Sequence, residues 1–442
     1  MIHRLKITLK QHTPLLHFQA TQEGATLRAS EVKPKLDKFI KKHNHSKASE
    51  LEAKNLYKYK LKIISNINDL IDVKLTEVYR DAKYYTKTTH NDRLVDFPLI
   101  LSNMGGKRNR NDLCNLIMHK QIKLIVIADN KEITNLIEDN IVKFFGTTNF
   151  GQRSSKGFGS FIVTSVNGKH QKFNPHELFD EDSAILEFRV NNNDSTSKQI
   201  SELFKTIDFY WKCLKSGINY TRGNPNSNRY IKSYLYHYLN NYGNIHTTWE
   251  KRAIKEHFRL YRLEQMLVEN PNTHYFGRAL LGCMDKFEYL RVDNRALIQG
   301  KHIVNITNIN DNEQNKITRI PSPIIFKPVK IGDLMSIYIL INHSIKDELI
   351  NHINTHGNIR YSFECTGRGI PLELEVNPHT IDYKELIDGF SEYLWSEEEN
   401  RIRIFEGRND LLRDEEYEWK FIPRDHNWRN ILGNRVVSIL FI

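Results

Sequence analysis

A strand, a helix, a glycine-rich loop and a second strand follow one another between residues 122 and 166. Residues 122–127 are aliphatic at five of six positions, which is typical of a buried strand. Residues 131–145 carry apolar side chains at the i, i+3, i+4 spacing of an amphipathic helix, and residues 160–166 again favour a strand. With a further strand at residues 3–9 and a helix from about Pro34, this order predicts an α+β fold.

The same order is compatible with a β-α-β-β-α-β unit, the ferredoxin-like arrangement, carrying insertions. At 442 residues the chain is long for one hydrophobic core, which predicts two domains. The polar segment 191–198 has no apolar periodicity and is the best linker. We therefore predict a first domain over residues 1–190 and a second α+β domain, mainly helical at its start, over residues 199–442.

The glycine-rich loop, residues 149–161, contains three glycines, three phenylalanines, Arg153 and Lys156. Glycine permits positive φ and a close approach of backbone to a ligand. The two cations add charge, and amide groups of such a loop can face phosphate oxygens. The segment matches neither the phosphate loop of nucleotide triphosphatases nor the dinucleotide fingerprint. It is therefore a candidate anion-binding loop that fits neither of these two nucleotide-binding motifs.

A second basic segment runs from residue 28 to residue 47, with seven basic residues and two acidic ones. Small residues lead into a helix there, so that the first amide groups of the helix, with Arg28, Lys33 and Lys35, can meet an anion. A solvated basic helix face explains the charge equally well. Both interpretations stay open on the sequence.

Tyrosines alternate with cations between residues 220 and 238. Arg222 and Arg229 lie among rings that could stack on bases or ribose. The simpler interpretation is a helix packed by its tyrosines and preceded by a polar loop.

The net charge of +11 favours a polyanionic partner. No apolar run has the length of a transmembrane helix, and the first residues alternate like a strand rather than a signal peptide, which predicts a cytoplasmic protein without membrane contact. Four widely spaced cysteines form no metal-binding pair, so we expect neither a metal nor a disulfide framework, and no cofactor.

Three groups of residues together resemble a known family. Thr13-Pro14 followed by Thr26-Leu-Arg-Ala-Ser-Glu-Val-Lys33, with the later glycine-rich loop, resembles the RAMP superfamily of CRISPR-associated proteins. His274–Gly277 with Leu280–Gly282, and Arg319–Lys327, are similar to late motifs of the capping subunit of type III-B (Cmr) effector complexes. Ala29 and Pro34 stand where the family pattern has glycine.

The resemblance implies two ferredoxin-like domains, related to RNA-recognition modules, with helical insertions. It implies a non-catalytic subunit that caps one end of the effector complex beside other RAMP subunits and binds guide CRISPR RNA and target RNA. The residues that would contact RNA on this interpretation, or on the charge patterns above, are Arg28, Ser30, Lys33, Lys35, Arg153, Lys156, Gly157, Gly159, Arg222 and Arg229.

Two other functions are compatible with the sequence. A metal-independent endoribonuclease that processes CRISPR repeat RNA would use a histidine as general base, and His17, before the basic segment, is the best candidate. A scaffold subunit would instead use its basic surface to meet acidic neighbours without touching RNA.

Overall fold

The computed structural model describes sixteen stretches of the chain. They are residues 2–16, 26–74, 115–179, 183–189, 193–221, 228–231, 233–241, 250–260, 275–283, 285–292, 298–309, 317, 319–395, 403–406, 420–421 and 436–441.

Strands and helices of the described residues are numbered in chain order. The strands are β1 (His3–Gln11), β2 (Tyr59–Ser65), β3 (Leu70–Lys74), β4 (Asn115–His119), β5 (Ile122–Ala128), β6 (Phe161–Val166), β7 (Lys169–His170), β8 (Ala184–Arg189), β9 (Ile218–Thr221), β10 (Asn228–Ile231), β11 (Lys286–Val292), β12 (Ile298–Asn308), β13 (Ile324–Ile331), β14 (Leu334–Ile341), β15 (Ile359–Cys365), β16 (Arg368–Val376), β17 (Arg403–Glu406), β18 (Lys420–Phe421) and β19 (Val436–Phe441). The α-helices are α1 (Ala29–His43), α2 (His45–Ala53), α3 (Lys131–Thr147), α4 (Pro175–Leu178), α5 (Thr196–Trp211), α6 (Tyr234–Asn241), α7 (Glu250–His257), α8 (Ser344–His356) and α9 (Tyr383–Trp395).

The first sheet has the strand order β2-β5-β1-β6-β7, and each neighbouring pair is antiparallel. Alternation along β1 sends Leu5, Ile7 and Leu9 to one face, where they are buried. Helices α1 and α3 cover that face and share one apolar core with it. The opposite face of the sheet carries the polar alternate positions of β1 together with Lys123, Ile125 and Ile127 of β5.

Helix α1 begins earlier than the sequence predicts. The predicted start at about Pro34 is wrong, because the helix begins at Ala29 and includes the proline. Proline lacks the N–H that would bond the carbonyl four residues back, which here belongs to the exposed Ser30 in the first turn. Water can satisfy that carbonyl, so the helix continues past Pro34.

The remaining sheets draw on distant parts of the chain. One has the order β13-β14-β8-β19, so β8 pairs with strands that follow it by well over a hundred residues. A second has the order β11-β12-β15-β16, and a smaller one the order β18-β17-β10-β9. The hairpin β9–β10 interrupts the region that the sequence predicts to be mainly helical. Helices and antiparallel sheets together confirm the α+β class.

The glycine-rich loop packs against its own chain at each of its three glycines. Gly151, Gly157 and Gly159 all have positive φ, at 79°, 91° and 64°. A Cβ on Gly159 would overlap the carbonyl oxygen of Phe150, whereas a Cβ on Gly168, at φ 82°, would meet nothing within 4 Å. The loop glycines therefore serve both the turn and the close packing of backbone on backbone.

We expect Gly159→Ala to lower the free energy of unfolding by about 2–5 kcal/mol, because the positive φ costs about 1–2 kcal/mol and the overlap with Phe150 costs a further 1–3 kcal/mol. Gly168→Ala is the matched control, and we expect it to show only the cost of the positive φ. Urea unfolding of both variants measures the difference. Equal losses would contradict the packing role of Gly159.

Candidate nucleic-acid interface

The end of β1 binds the glycine-rich loop through Thr13 and Pro14. The Thr13 hydroxyl donates to the Gly157 carbonyl at 2.6 Å and accepts from the Ser160 amide at 2.9 Å. The Pro14 carbonyl accepts from the Gly159 amide at 2.8 Å. Thr13 and Ser160 are fully buried. Two motifs that lie far apart in the sequence thus form one hydrogen-bonded unit.

Helix α1 binds the same loop through a charged pair. Lys35 Nζ donates to the carboxylate of Glu31 and to the Asn149 carbonyl, both at 3.1 Å. The same Glu31 oxygen accepts from the Gly151 amide at 2.6 Å. The positive charge of Lys35 is therefore balanced by Glu31, and both side chains orient the loop on the helix.

Lys33 is similarly engaged within the helix. Its Nζ lies 3.0 Å from the Asp37 carboxylate and 3.9 Å from the centre of the Tyr59 ring. Asp37 also accepts a hydrogen bond from the Tyr59 hydroxyl at 2.5 Å. Farther along the helix Lys41 pairs with Glu52 at 2.6 Å. Much of the charge that the sequence places on this helix is locally compensated.

The late motif 319–327 joins the loop from the other side. The Asn149 side chain donates to the Phe326 carbonyl at 2.8 Å, and the Ser160 hydroxyl donates to the Pro328 carbonyl at 2.6 Å. Lys327 is fully buried and donates to the carbonyls of Thr148 and Phe161 at 3.0 and 2.9 Å. Burial lowers the pKa of Lys327 well below its usual range.

Most amide groups of the loop are consumed by these contacts. The amides of residues 150, 151, 152, 156, 157, 159 and 160 all donate to acceptors of the protein. Gly157 and Gly159 are buried, and a Cβ on Gly157 would lie 2.9 Å from the side chains of Ile207 and Pro328. The open amide cradle that the glycines suggest is therefore absent from these seven positions.

Lys156 points into the protein. Its Nζ lies 2.9 Å from the centre of the Trp211 ring and 5.6 Å from that of Phe326, and this buried nitrogen has no hydrogen-bond acceptor. Burial, together with the charge of Lys215, lowers its pKa well below the usual range. In this conformation the Lys156 ammonium does not face solvent.

Phe158 belongs to the core rather than to a surface for stacking bases. Its ring is fully buried and stacks on Phe204 with centroids 4.1 Å apart.

We call Arg28, Ser30, Arg153 and Arg319 the loop–helix edge, because they lie at the start of α1, in the loop and at the start of the late motif. Arg28 and Ser30 are exposed at the start of α1. Arg153 is half-buried with φ 54°, and burial followed by the like charge of Arg319 lowers its pKa. Arg319 is exposed and was missed as a site residue, although it opens the late motif.

A second residue that the sequence did not single out lies behind the loop. Lys215 is buried and donates to the carbonyls of Leu281 and Gly282 at 3.2 and 2.5 Å. These carbonyls belong to the other late motif, so that motif also joins the assembly. Burial, and then the charge of Arg278, lower the pKa of Lys215 to about 7.

Three of the predicted site residues lie wholly or partly outside the described parts of the chain. Arg222 and His17 lie outside the described residues. The backbone of Arg229 lies in β10, where it pairs with Tyr220 and Glu406. Arg222 and Arg229 therefore remain predictions as RNA contacts.

No cluster of metal-ligand type occurs among the described residues, and Cys213, Cys283 and Cys365 are buried free thiols. No helix in the described ranges is long and apolar enough to cross a membrane.

Comparison with protein families decides the relationship. The model of the Cmr1 N-terminal domain matches residues 2–218, and the model of the Cmr1 C-terminal domain matches residues 230–405. The chain belongs to the Cmr1 family. The predicted membership of the RAMP superfamily, within its type III-B (Cmr) branch, is thereby confirmed.

Solved structures are only distantly similar to this Cmr1-family chain. The crystal structure of Cmr1 from Pyrococcus furiosus (apo form) is 11% identical over 88% of this chain and 96% of that one, with a TM-score of 0.36. A chain of the type III-B Cmr-beta complex bound to cognate target RNA is 12% identical over 38% of this chain, with a TM-score of 0.25, and this chain spans 60% of that relative's length. Comparison with curated proteins gives no significant match.

We expect Thr13→Val to destabilise the protein by about 2–6 kcal/mol, because two buried backbone groups of the loop lose their partner at about 1–3 kcal/mol each. Urea unfolding measures the loss, and trypsin should cleave after Arg153 or Lys156 faster than in the wild type. Thr147→Val is the control, since its hydroxyl donates to a carbonyl within α3 at 2.8 Å. Unchanged cleavage and stability in Thr13→Val would contradict the role of this hydroxyl.

The pKa of Lys215, about 7 when folded, predicts a pH dependence of stability. The unfolded lysine keeps its proton up to about pH 10, so between these values the unfolded state binds more protons and the free energy of unfolding rises with pH. We expect this rise to be smaller in Lys215→Met, by at most about 1.4 kcal/mol per pH unit. Urea unfolding across this range measures it, with the exposed Lys38→Met as control. Parallel profiles for Lys215→Met and wild type would overturn the assignment.

Proposed function

We propose that the chain is a non-catalytic RNA-binding subunit of a type III-B Cmr effector complex. The observation that supports this best is the loop–helix edge, where Arg28, Arg153 and Arg319 belong to segments that hydrogen bonds fix to one another. Guanidinium groups are suited to phosphate oxygens because they can donate two parallel hydrogen bonds. A rigid base holds such groups in place before RNA arrives, which lowers the entropic cost of binding.

The roles we propose for the predicted residues follow from their surroundings. Arg28, Ser30 and Arg153 contact the RNA backbone, with Arg319 added to them. Lys33 and Lys35 are engaged in ion pairs and set the helix against the sheet and the loop. Gly157 and Gly159 shape the loop, and Lys156 contacts RNA only if its side chain rotates away from Trp211.

We further propose that the first sheet and its helices form a ferredoxin-like unit. The strand order β2-β5-β1-β6 and the succession of β1, α1, β2, β5, α3 and β6 along the chain support this. The hairpin β3–β4 would then be an insertion between the second and third strands of the unit.

The partners that we propose are guide CRISPR RNA, target RNA and the other RAMP subunits, with this chain as a cap at one end of the complex. Membership of the Cmr1 family supports this assignment. Recognition through backbone phosphates makes binding tolerant of sequence, as a subunit that serves many guides requires.

An endoribonuclease receives no support from His12, a described histidine that precedes the basic segment. His12 is buried, its Nδ1 accepts from the Lys330 amide at 2.9 Å, and burial holds its pKa well below the usual range. A base that solvent and substrate cannot reach does not take a proton from RNA.

We expect the triple variant Arg28→Gln, Arg153→Asn, Arg319→Gln to bind guide-length single-stranded RNA about tenfold more weakly at about 0.1 M salt. The slope of the logarithm of the binding constant against the logarithm of the salt concentration should also be smaller in magnitude by about 2, or about 0.7 for each lost contact. Asparagine is chosen because it tolerates the positive φ of Arg153. Fluorescence anisotropy across a salt series measures both quantities.

The control carries three substitutions of exposed lysines on α1 and α2, Lys38→Gln, Lys42→Gln and Lys47→Gln. We expect it to keep most of the affinity, although its net charge falls equally. Equal losses of RNA affinity in both variants would mean that binding depends on net charge rather than on the loop–helix edge. No loss in either variant would contradict the proposal and favour a scaffold subunit.

A further inference from the structure

The outer face of the first sheet, opposite α1 and α3, is a surface that the proposed contacts leave unused. We call its outward positions on three strands the sheet face. They are Arg4, Lys6, Thr8 and Lys10 on β1, Lys123, Ile125 and Ile127 on β5, and Lys60, Lys62 and Ile64 on β2.

Strand register arranges these side chains in rows across the sheet. Ile127 is opposite Arg4 on one side and Lys60 on the other. Ile125 is likewise opposite Lys6 and Lys62. With strands about 4.8 Å apart, the two lines of cations run about 10 Å from each other. Both isoleucines are half-exposed, so they form an apolar floor between the two basic lines.

The third row closes one end of this floor. Lys123 takes the central position there, between Thr8 and Ile64. At the other side of β1, Lys10 is opposite Ile162, which packs with Val329 and Tyr338 of the next sheet. The sheet β13-β14-β8-β19 therefore covers that corner and bounds the sheet face.

The charge of the sheet face is uncompensated. All six of its cations are exposed, and none of its ten positions carries a carboxylate. Within the part of the chain that the structure describes, none of the six makes an ion pair. This contrasts with α1, where Lys33, Lys35 and Lys41 are paired. Like charges about 7 Å apart along a strand lie within the Debye length at physiological salt and repel one another, so a bound polyanion would be stabilised here.

We propose that the sheet face is a second RNA-binding surface, which holds a single strand with its phosphates along β1 and β2 and its bases over Ile125 and Ile127. The inference rests on the proposed function in that the ligand is RNA, and it adds a surface separate from the loop–helix edge. Spacing of about 7 Å between alternate residues of a strand suits successive phosphates of an extended strand. The face has no aromatic side chain at its ten positions, so binding relies on charge and apolar contact and does not select sequence.

The floor favours a single strand over other polyanions. A duplex keeps its bases stacked inside and would leave the isoleucines without contact. An acidic protein segment would match the charge, and it is the competing occupant that the experiment must separate.

The test compares two variants of the full chain that each lose four lysines. The sheet-face variant is Lys6→Gln, Lys60→Gln, Lys62→Gln, Lys123→Gln, and the control is Lys38→Gln, Lys42→Gln, Lys47→Gln, Lys58→Gln, all exposed in the wild type. Binding of end-labelled guide-length single-stranded RNA is measured across a salt series, with thermal unfolding to check that both variants are folded. A second sheet-face variant, Ile125→Asp, places one carboxylate on the floor.

We expect the sheet-face variant to lose affinity about tenfold or more, with a salt slope smaller by about 2–3, and the control to lose less than about threefold. Ile125→Asp should also weaken binding, and RNA crosslinks should map to β1, β2 or β5 in the wild type.

Equal affinity in the sheet-face variant and the control overturns this inference. If only the loop–helix variant loses RNA, the proposed function stands and the second surface does not exist. If the sheet-face variant keeps RNA but no longer assembles with its neighbours, the occupant is an acidic protein, and if the wild type binds no RNA, both proposals fall.

Discussion

A lysine nitrogen that water cannot reach fixes the arrangement on which the rest of this structure depends. Lys327 lies in β13, in a different sheet from the loop that it holds, and it donates to one carbonyl at each end of that loop. Burying an amino group is costly unless its hydrogen bonds are formed, so the carbonyls of Thr148 and Phe161 must stay within reach. Their position in turn places the loop against Thr13, Glu31 and the end of β1. This buried donor thus helps to couple the first sheet to the sheet β13-β14-β8-β19.

The regular elements of this fold could be predicted from the sequence to the extent that their periodicity is local. The strand at residues 122–127 and the helix at 131–145 are found almost as predicted, because apolar spacing reports burial directly. The start of α1 was missed because the proline signal does not specify which turn of a helix it occupies. The partners of β8 could not be predicted, since nothing in six residues encodes a pairing with strands far along the chain.

The candidate site was predictable in its location but not in its chemistry. The sequence identified the motifs that meet, yet it suggested that glycines and lysines there would face a ligand. Gly159 and Lys156 instead face the protein. The sequence alone does not distinguish a glycine that makes room for a ligand from one that makes room for a backbone carbonyl. Charge has a related ambiguity. Helix α1 contains the densest run of cations, but Glu31 and Asp37 offset its charge at i, i+4 spacing, whereas β1 and β2 carry cations at alternate positions with no acid beside them.

The pairing of β8 with β19 has a consequence for how the molecule is made. One edge of β8 can pair with β14 only after residues 334–341 have been synthesised. Its other edge pairs with β19, which is synthesised roughly 250 residues after β8. At about 5–20 residues per second, a ribosome needs on the order of ten to fifty seconds to cover that distance. Throughout that interval the edge of β8 that pairs with β19 has no partner for its amides and carbonyls, and other chains can bind there. The sheet β13-β14-β8-β19 can therefore be completed only when nearly the whole chain has been synthesised.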